Sequence, residues 1–489
     1  MICAVIKGPT FEDASQQISQ AIAGDANLVE LRLDAFKSLD ASGITQLRSK
    51  FSIPMIFTLR STTHGGSCTL SEHERLNTIQ NLASLIPEYL DIESHVPSEF
   101  IKNISCQYPK IKLMLSFHDF NQTPHDLEAI YQQMQKISAD LYKVAVKANS
   151  TLDAFRLLCW SYKKPKLVAV SMGSHGYISR ILGPVIGSPI SYACLQENLQ
   201  SAPGQIPLHI LKNQYRYHTL NPETAIYGLI GDPVEQSVSH HSHNALMKAS
   251  QWNAIYIKMV VKPDELEQFL QLAKKLPIRG LSVTMPLKEK IIPFLDQIDP
   301  PAKEMGAVNT LHFNQGKITG YNTDAMGALN ALEEYGPVKG KRIIMIGAGG
   351  AAKAIAYEAY RRGGELTIVN RDVEKAEKLA KKLHAVGKGL DYMAECFQTG
   401  YDILINTTPL PLPIDPQYII PHTLVMDIKT QPKVTPFLQH ALDKQCQVVY
   451  GYRMFVEQAI GQYNIWFKEQ NDPTHFRAIL EQKVLEILS

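Results

Sequence analysis

The sequence is short of every feature that marks a secreted, membrane-spanning or nucleic-acid-binding chain. Its seven cysteines (positions 3, 68, 106, 159, 194, 396 and 446) are an odd number, widely spaced and never in a C-x-x-C pair. That spacing excludes a disulfide framework and a zinc site. No apolar run approaches the roughly 20 residues a membrane span requires. Neither sign of charge dominates: 49 Lys and Arg against 47 Asp and Glu leave a formal net charge of +2. Nothing therefore calls for nucleic acid or an anionic membrane as partner. Short basic clusters such as Lys381-Lys382 read as solvated helix faces. The opening Met-Ile-Cys-Ala-Val-Ile-Lys runs straight into a strand pattern, without the composition of a signal or transit peptide. Together with the cysteine usage, this predicts a cytoplasmic protein.

What is present is a globular chain with two rhythms. At 489 residues it is too long for one core, which predicts about two to four domains. Its 45% hydrophobic and 20% charged residues are ordinary globular values. Up to about residue 195, short apolar strands alternate with amphipathic stretches. Strands are predicted at 2–6, 28–33, 55–60, 89–93, 112–117, 141–146, 166–172 and 189–195, and the clearest helices at 71–86 and 123–138. Eight strands, each reached through a crossover, predict a (β/α)₈ barrel. A doubly wound open sheet is the alternative on pattern alone. Around 209–224, "HILKNQYRYHTLNPETA" breaks the rhythm with Asn-Pro turn signals and reads as a linker. A new strand at 225–231 opens a second α/β region.

Polar residues gather at the C-terminal ends of the predicted barrel strands: Glu30 and Arg32, Arg60, Glu93, His118-Asp119 and Lys143. Lys143 stands inside the apolar stretch "LYKVAV", where an ammonium would leave water and must find a partner or do chemistry. By the period of two it shares a face with Leu141 and Ala145, and is best placed in the barrel interior. One reading makes it an ion-pair partner of a carboxylate such as Glu93. The other makes it a Schiff-base nucleophile, with His118 as the proton carrier such chemistry needs.

"ELRLD" (30–34), "TLRS" (58–61), "SFHDF" (116–120), "SMGSHGYISR" (171–180) and "SAPGQI" (201–206) resemble, in order, the signature segments of type I 3-dehydroquinate dehydratases. The resemblance spans residues 1–212. It implies that Lys143 forms an imine with the substrate ketone and that His118 moves the protons. It also implies that Arg180 binds the substrate carboxylate, while Glu30, Arg32, Arg60, Ser201 and Gln205 contact substrate oxygens or order the loop over them. One position departs: His64 stands before Gly65-Gly66 where the family usually has a glutamate, and that glutamate's contact is in doubt.

In the second region "IGAGGAAKA" (346–354) follows a strand and opens a helix, the context a dinucleotide fingerprint requires. Its glycines let the backbone approach a pyrophosphate at a helix N-terminus. The next strand ends in Asn370-Arg371, where an NAD binder would carry a carboxylate, and an arginine there favours the 2′-phosphate of NADP. Asp372 could pair with Arg371 and blunt that preference. "GDPVEQSVSHHSHNAL" (231–246), "LSVTMPLKEK" (281–290), "GAVNTL" (306–311), "GYNTDAMGAL" (320–329) and "YGYRMFVEQA" (450–459) resemble shikimate dehydrogenase over about residues 225–489.

This second resemblance implies that Lys288 and Asp324 are the catalytic pair, that Ser237 and Ser239 bind a carboxylate, and that Thr284, Asn309 and Gln458 bind hydroxyls. The nucleotide contacts it implies are Gly347, Ala348, Gly349, Gly350, Ala351, Asn370, Arg371 and Gly451. His240, Ser282 and Thr430 depart from the commoner proline, asparagine and tyrosine. The implied organisation is a dehydratase barrel at 1–212, a linker at 213–224, a substrate lobe at 225–322, an NADP-binding Rossmann lobe at 323–450 and a C-terminal helical segment at 451–489. Because the product of the first reaction is the substrate of the second, the whole resembles a bifunctional enzyme of the shikimate pathway. Small molecules are then its partners. The alternatives are a fusion to a quinate dehydrogenase, or a catalytically dead regulatory protein on the same folds.

Overall fold

The computed structural model describes residues 1–199, 202–467 and 473–488. These divide into two compact units. One runs Met1–Ala225 with the returns Asn253–Ile255 and Gln268–Pro277; the other holds the rest from Ile226 on.

The first unit is a parallel sheet of nine strands: β1 (Ile2–Ile6), β2 (Leu28–Arg32), β3 (Met55–Thr58), β4 (Tyr89–Glu93), β5 (Lys112–Asp119), β6 (Leu141–Lys147), β7 (Leu167–Met172), β8 (Ser191–Cys194) and β9 (Ile206–Pro207). Its order is β7-β6-β5-β4-β3-β2-β1-β8-β9. Strand β8 returns to β1, with Cys3 opposite Tyr192, so the ladder curls into the (β/α)₈ order expected from the sequence. The described strands form no ladder between β7 and β8. The short helix Ile178–Ile181 packs on both, and Gly173, just past β7, donates its N–H to the Pro203 carbonyl at 2.9 Å. Gly204 makes that approach possible: it takes φ 79°, and a Cβ there would sit 2.2 Å from the Gly173 oxygen.

Alternation along the strands sorts side chains as the pattern predicts. Cys3, Val5, Ile56, Met114, Ala145, Val168 and Tyr192 pack together in the interior, with Leu141 against them. Leu141 and Ala145 flank Lys143, so the lysine does point inward. The predicted strand ends shift. β3 stops at Thr58, leaving Arg60 beyond it, whereas β5 continues to Asp119 and holds His118 within the strand. The helices are shorter than their periodic stretches. Glu72–Ala83 begins at a Ser71/Glu74 capping box, and Leu127–Gln135 begins after the Asp126 cap. Segment 209–224 is folded rather than a free tether: the chain is helical over Leu208–Asn213, and Tyr215 and Tyr217 are buried. The Tyr217 hydroxyl donates to the Met1 carbonyl at 3.3 Å. Its tyrosines carry apolar area that a polar-looking composition conceals.

The second unit has two sheets. The first contains β10 (Ala225–Gly231), β11 (Ala254–Val260), β12 (Ile278–Val283), β13 (Gln297–Ile298), β14 (Thr310–Asn314) and β15 (Lys317–Tyr321), ordered β11-β10-β12-β14-β15-β13. The second contains β16 (Arg342–Ile346), β17 (Glu365–Val369), β18 (Val386–Lys388), β19 (Ile403–Asn406), β20 (Leu424–Asp427) and β21 (Gln447–Val449). Its parallel order, β18-β17-β16-β19-β20-β21, is the 3-2-1-4-5-6 of a Rossmann sheet. One face packs Ile343, Met345 and Ile405 on Ile355 and Ala356 of helix Gly350–Arg361. The other packs Ile344, Leu404 and Val425 on Phe437 and Leu438.

Helix Gly451–Trp466 lies along helix Asp324–Glu333 at close range. A Cβ on Gly327 would stand 2.8 Å from the Gln458 nitrogen, and one on Gly461 would stand 3.0 Å from Thr323. The same helix reaches the first sheet, where Trp466 donates to the Leu311 carbonyl at 2.9 Å. Among the described residues no helix is long and apolar enough to cross a membrane.

Candidate active sites

Strand β6 carries Lys143 into the first cavity, at the C-terminal end of the barrel, where loops leave room above the packed interior. Glu30, Arg32, Arg60, His118, Arg180 and Gln205 line it with Lys143. Ser201 lies outside the described residues. The lysine's partner is Asp91: Nζ donates to Oδ2 at 2.6 Å and reaches Glu30 at 3.5 Å and the Tyr192 hydroxyl at 3.3 Å. Glu93, the carboxylate suggested by sequence, is held by Arg75 at 2.9 Å and by Arg60 at 3.5 Å.

Asp91 also accepts from Arg60 at 2.8 Å and from the Ser116 hydroxyl at 2.6 Å. Burial alone would raise its carboxyl, but Arg60 and Lys143 outweigh burial and hold it well below the carboxylate range. Arg32 forks onto Asp34 at 3.0 and 2.8 Å, and Asp34 accepts the Ser67 N–H at 2.9 Å. Arg32 therefore braces the loop that follows Arg60. Sequence reasoning misses Asp91, Ser116 and Tyr192. The alternation Tyr89, Asp91, Glu93 on β4 is the available signal for Asp91.

Two groups in this cavity lack the partner that burial ordinarily demands. The Nδ1 atom of His118 is buried with no hydrogen-bond partner. Burial first, then Arg60 and Lys143, pushes this imidazole well below the usual histidine range, so it is neutral at physiological pH. Arg180 is 2% exposed. One guanidinium nitrogen donates to the Ser171 carbonyl at 2.7 Å, while Nε has no partner. No carboxylate pairs with Arg180 among the described residues, and burial pushes it down to about 10. A buried cation without a counter-charge costs several kcal/mol, and it fits an anionic ligand. His64 also lines the cavity, with its ring stacked on His95 at 4.1 Å.

In the second unit Lys288 Nζ donates to Asp324 Oδ2 at 2.5 Å, and Asn309 donates to Oδ1 at 2.8 Å. Asp324 is the first residue of its helix, where backbone N–H groups favour a carboxylate. Ser237, Ser239, Thr284 and Gln458 line the same cavity, as do Ser282 and Thr430. The Ser237 hydroxyl donates to that of Ser239 at 2.8 Å.

A continuous run of hydrogen bonds leads to the pair. Tyr256 donates to Ser282 (2.8 Å), Ser282 to the Gln462 oxygen (3.1 Å), Gln462 to Thr310 (3.2 Å) and Thr310 to Asn309 (2.7 Å). Sequence reasoning misses Tyr256, Thr310 and Gln462, though Gln462 stands one helical turn after Gln458. His240 lies just outside this cavity's lining. Its ring is buried beside His241, and burial together with Lys258 holds it down to about 2.

The glycine turn follows β16 as the sequence predicts. Gly347 takes φ 113°, and a Cβ there would strike Thr407 at 2.4 Å. A Cβ on Gly349 would meet nothing within 4 Å, so the helix N-terminus stands open to a ligand. Gly350 starts the helix with its α-carbon against Lys288, where a Cβ would lie 3.3 Å from the lysine's own. The glycine turn and the Lys288–Asp324 pair are thus adjacent.

A third cavity is lined by Ala348, Gly349, Asn370, Arg371, Lys375, Lys378 and Lys382. With Lys353 its five cations and open glycine backbone suit a dinucleotide bearing an extra phosphate. Asp372 caps helix Val373–Lys382 and pairs with Lys375 at 3.1 Å rather than with Arg371. Ala351 and Gly451, expected at the nucleotide, line the second cavity.

Comparison with known proteins covers most of the chain. The type I 3-dehydroquinase family matches residues 2–222. The shikimate dehydrogenase substrate binding domain matches 229–311, and the shikimate/quinate 5-dehydrogenase family matches 330–438. The shikimate biosynthesis protein AroDE of Chlamydia pneumoniae is 37% identical over 481 residues, which is 96% of this chain and 96% of that protein. The chloroplastic bifunctional 3-dehydroquinate dehydratase/shikimate dehydrogenase of Arabidopsis thaliana is 32% identical over 95% of this chain and 82% of its own length. A solved shikimate dehydrogenase in complex with NADP+ superimposes on 54% of this chain and 97% of its own, with 35% identity and a TM-score of 0.50. With relatives of this kind matching over at least 95% of its length, the chain belongs to the family of bifunctional 3-dehydroquinate dehydratase/shikimate dehydrogenases.

Proposed function

We propose that Lys143 forms a Schiff base with 3-dehydroquinate in the first cavity, which releases 3-dehydroshikimate, and that Lys288 and Asp324 serve its reduction to shikimate in the second. The observation that carries the reading is that a buried amine and a buried guanidinium without a carboxylate partner line one cavity. Arg180 binds the substrate carboxylate, and Lys143 Nζ attacks the ketone carbon and displaces its oxygen as water. The iminium that results is a stronger electron sink than the carbonyl. His118, neutral and close by, takes the α-proton and then delivers it to the β-hydroxyl, which leaves as water. Hydrolysis of the imine returns the lysine. Glu30, Arg60 and Gln205 face the remaining oxygens, Arg32 orders the loop above them, and Ser201 is assigned with them by resemblance.

In the second cavity Ser237 and Ser239 hold the carboxylate, and Thr284, Asn309 and Gln458 hold hydroxyls. NADPH, when bound, supplies a hydride to the ketone carbon. Gly347, Ala348, Gly349 and Gly350 would cradle its pyrophosphate, Asn370 and Arg371 its 2′-phosphate, and Ala351 and Gly451 its nicotinamide end. Lys288 donates to the ketone oxygen and gives it a proton as negative charge develops, while Asp324 keeps the ammonium aimed. We assign 1–212 to the dehydratase, 213–224 to the connection, 225–322 to the substrate lobe, 323–450 to the NADP lobe and 451–489 to the returning helices. All seven cysteines are free thiols, which fits a reducing cytoplasm.

Borohydride added with 3-dehydroquinate should leave a mass adduct on Lys143, absent in Lys143→Ala. Lys288→Ala and Asp324→Ala should lose reduction yet dehydrate at the parent rate. An adduct on another residue refutes the imine assignment.

Arg180→Gln should raise KM for 3-dehydroquinate about 10- to 100-fold, the worth of a charge-assisted hydrogen bond of about 1.5–3 kcal/mol. Its Tm should not fall, because the native cation has no carboxylate partner to lose. A lowered Tm with unchanged KM would make Arg180 structural. Arg371→Ala should cut the ratio of kcat/KM for NADPH over NADH by a similar factor, and an unchanged ratio would remove it from the phosphate site.

A further inference from the structure

A proton carrier at position 118 needs its ring aimed. His118 sits one position from the end of β5, and its buried Nδ1 makes no hydrogen bond. No polar partner at that atom fixes the imidazole plane, and the torsion that sets it is intrinsically broad. The contact that does fix it is a ring stack. Phe120, two residues on, lies with its plane 9° from that of His118 and its centroid 5.8 Å away.

Phe120 is itself 39% exposed, so burial does not hold it in place. Its outer edge is held by Gly65: a Cβ on that glycine would come within 2.3 Å of the phenyl Cζ. Gly65 takes φ 74°, a left-handed conformation that L side chains rarely adopt, and it closes the turn Thr62–His64. His64 fastens the turn on its far side by stacking on His95 with an interplanar angle of 14°. Turn, phenyl and imidazole thus form three layers along one wall, and His64, Gly65, Phe120 and His118 all line the cavity.

We propose that Phe120 is the positioning residue of the dehydratase, clamped by the Gly65 turn so that its ring sets the plane of the His118 imidazole. This rests on the proton-carrier role assigned to His118 above. The phenyl also keeps water from the imidazole. The charges that bear most on that ring are Arg60 past β3, Lys143 on β6, Asp91 on β4 and Arg32 on β2, and Glu30, His64 and Arg180 line the same cavity. The ion pairs of the first four run to one another and to Glu30, Asp34 and Glu93 rather than to Phe120, so cutting the ring back should chiefly admit water, which relieves the burial that holds the histidine down. The acid limb of kcat/KM then moves up, toward the ordinary histidine value of about 6.5.

The test uses the full-length chain with Phe120→Ala and Phe120→Tyr, the dehydration pH profile, borohydride trapping with 3-dehydroquinate, and reduction of 3-dehydroshikimate as a control for folding. In Phe120→Ala, kcat for dehydration should fall about 10- to 100-fold, the loss expected when a catalytic group is misplaced by about 1 Å. KM should change little, the acid limb should rise, and the adduct on Lys143 should still form. Phe120→Tyr, which keeps the ring, should recover the parent rate and profile. The proposal is overturned if Phe120→Ala keeps the parent kcat and acid limb, if its loss lies in KM alone, or if Phe120→Tyr is as slow as Phe120→Ala. Failure to trap an adduct in the parent overturns the imine reading itself, and the proposal with it.

Discussion

The carboxylate of Asp91 is the point on which the first site depends. It is 2% exposed and lies between two cations that are themselves buried, Arg60 and Lys143. Taken singly, each of these groups would be expensive to remove from water. Together they satisfy one another, and the Ser116 hydroxyl fills part of the remaining hydrogen-bonding capacity. Deleting one partner would leave a buried charge uncompensated, typically at a cost of about 3–5 kcal/mol. Because the Asp91 carboxyl is held below its unfolded value, its stabilising contribution is complete above about pH 4 and is lost only as pH falls through its folded value. The same contact gives Lys143 one orientation and leaves its nitrogen beside the cavity. Arg180 has no such carboxylate partner among the described residues.

The second site solves the same problem on another fold. Asp324 holds Lys288 as Asp91 holds Lys143, but its orientation is inherited through amides and hydroxyls rather than through other charges. Asn309, Thr310, Gln462, Ser282 and Tyr256 connect in series. Gly327 and Gly461 are what let the helix bearing Gln458 and Gln462 lie close enough to take part. Ser282, a departure from the commoner residue, is a working link in that series. The contact of Gly350 with Lys288 joins the glycine turn to the same network.

Much of this is legible in the amino-acid sequence itself. The period of two places Lys143 inward, and strand–turn–helix context picks out the glycine turn and Arg371 beyond it. What the sequence conceals follows a physical pattern. Glu93 stands out over Asp91 because alternation says which residues share a face, not which cation each will meet. Gln462 and Tyr256 act across elements distant in sequence, and nothing local announces them. Segment 209–224 combines turn residues with tyrosines, and composition alone does not tell a tether from a packed coil. Asp372 looks like a rival for Arg371 by adjacency, but its carboxylate caps a helix and pairs with Lys375 instead.

Two chemistries running in sequence in one chain are the central claim. The direct measurement supplies 3-dehydroquinate and NADPH to the purified full-length protein and follows nicotinamide absorbance while products are identified by mass. The predicted product is shikimate, with one NADPH oxidised for each molecule formed, and 3-dehydroshikimate alone when the nucleotide is withheld. Quinate as the product, with NADPH consumed and no water lost, would contradict it.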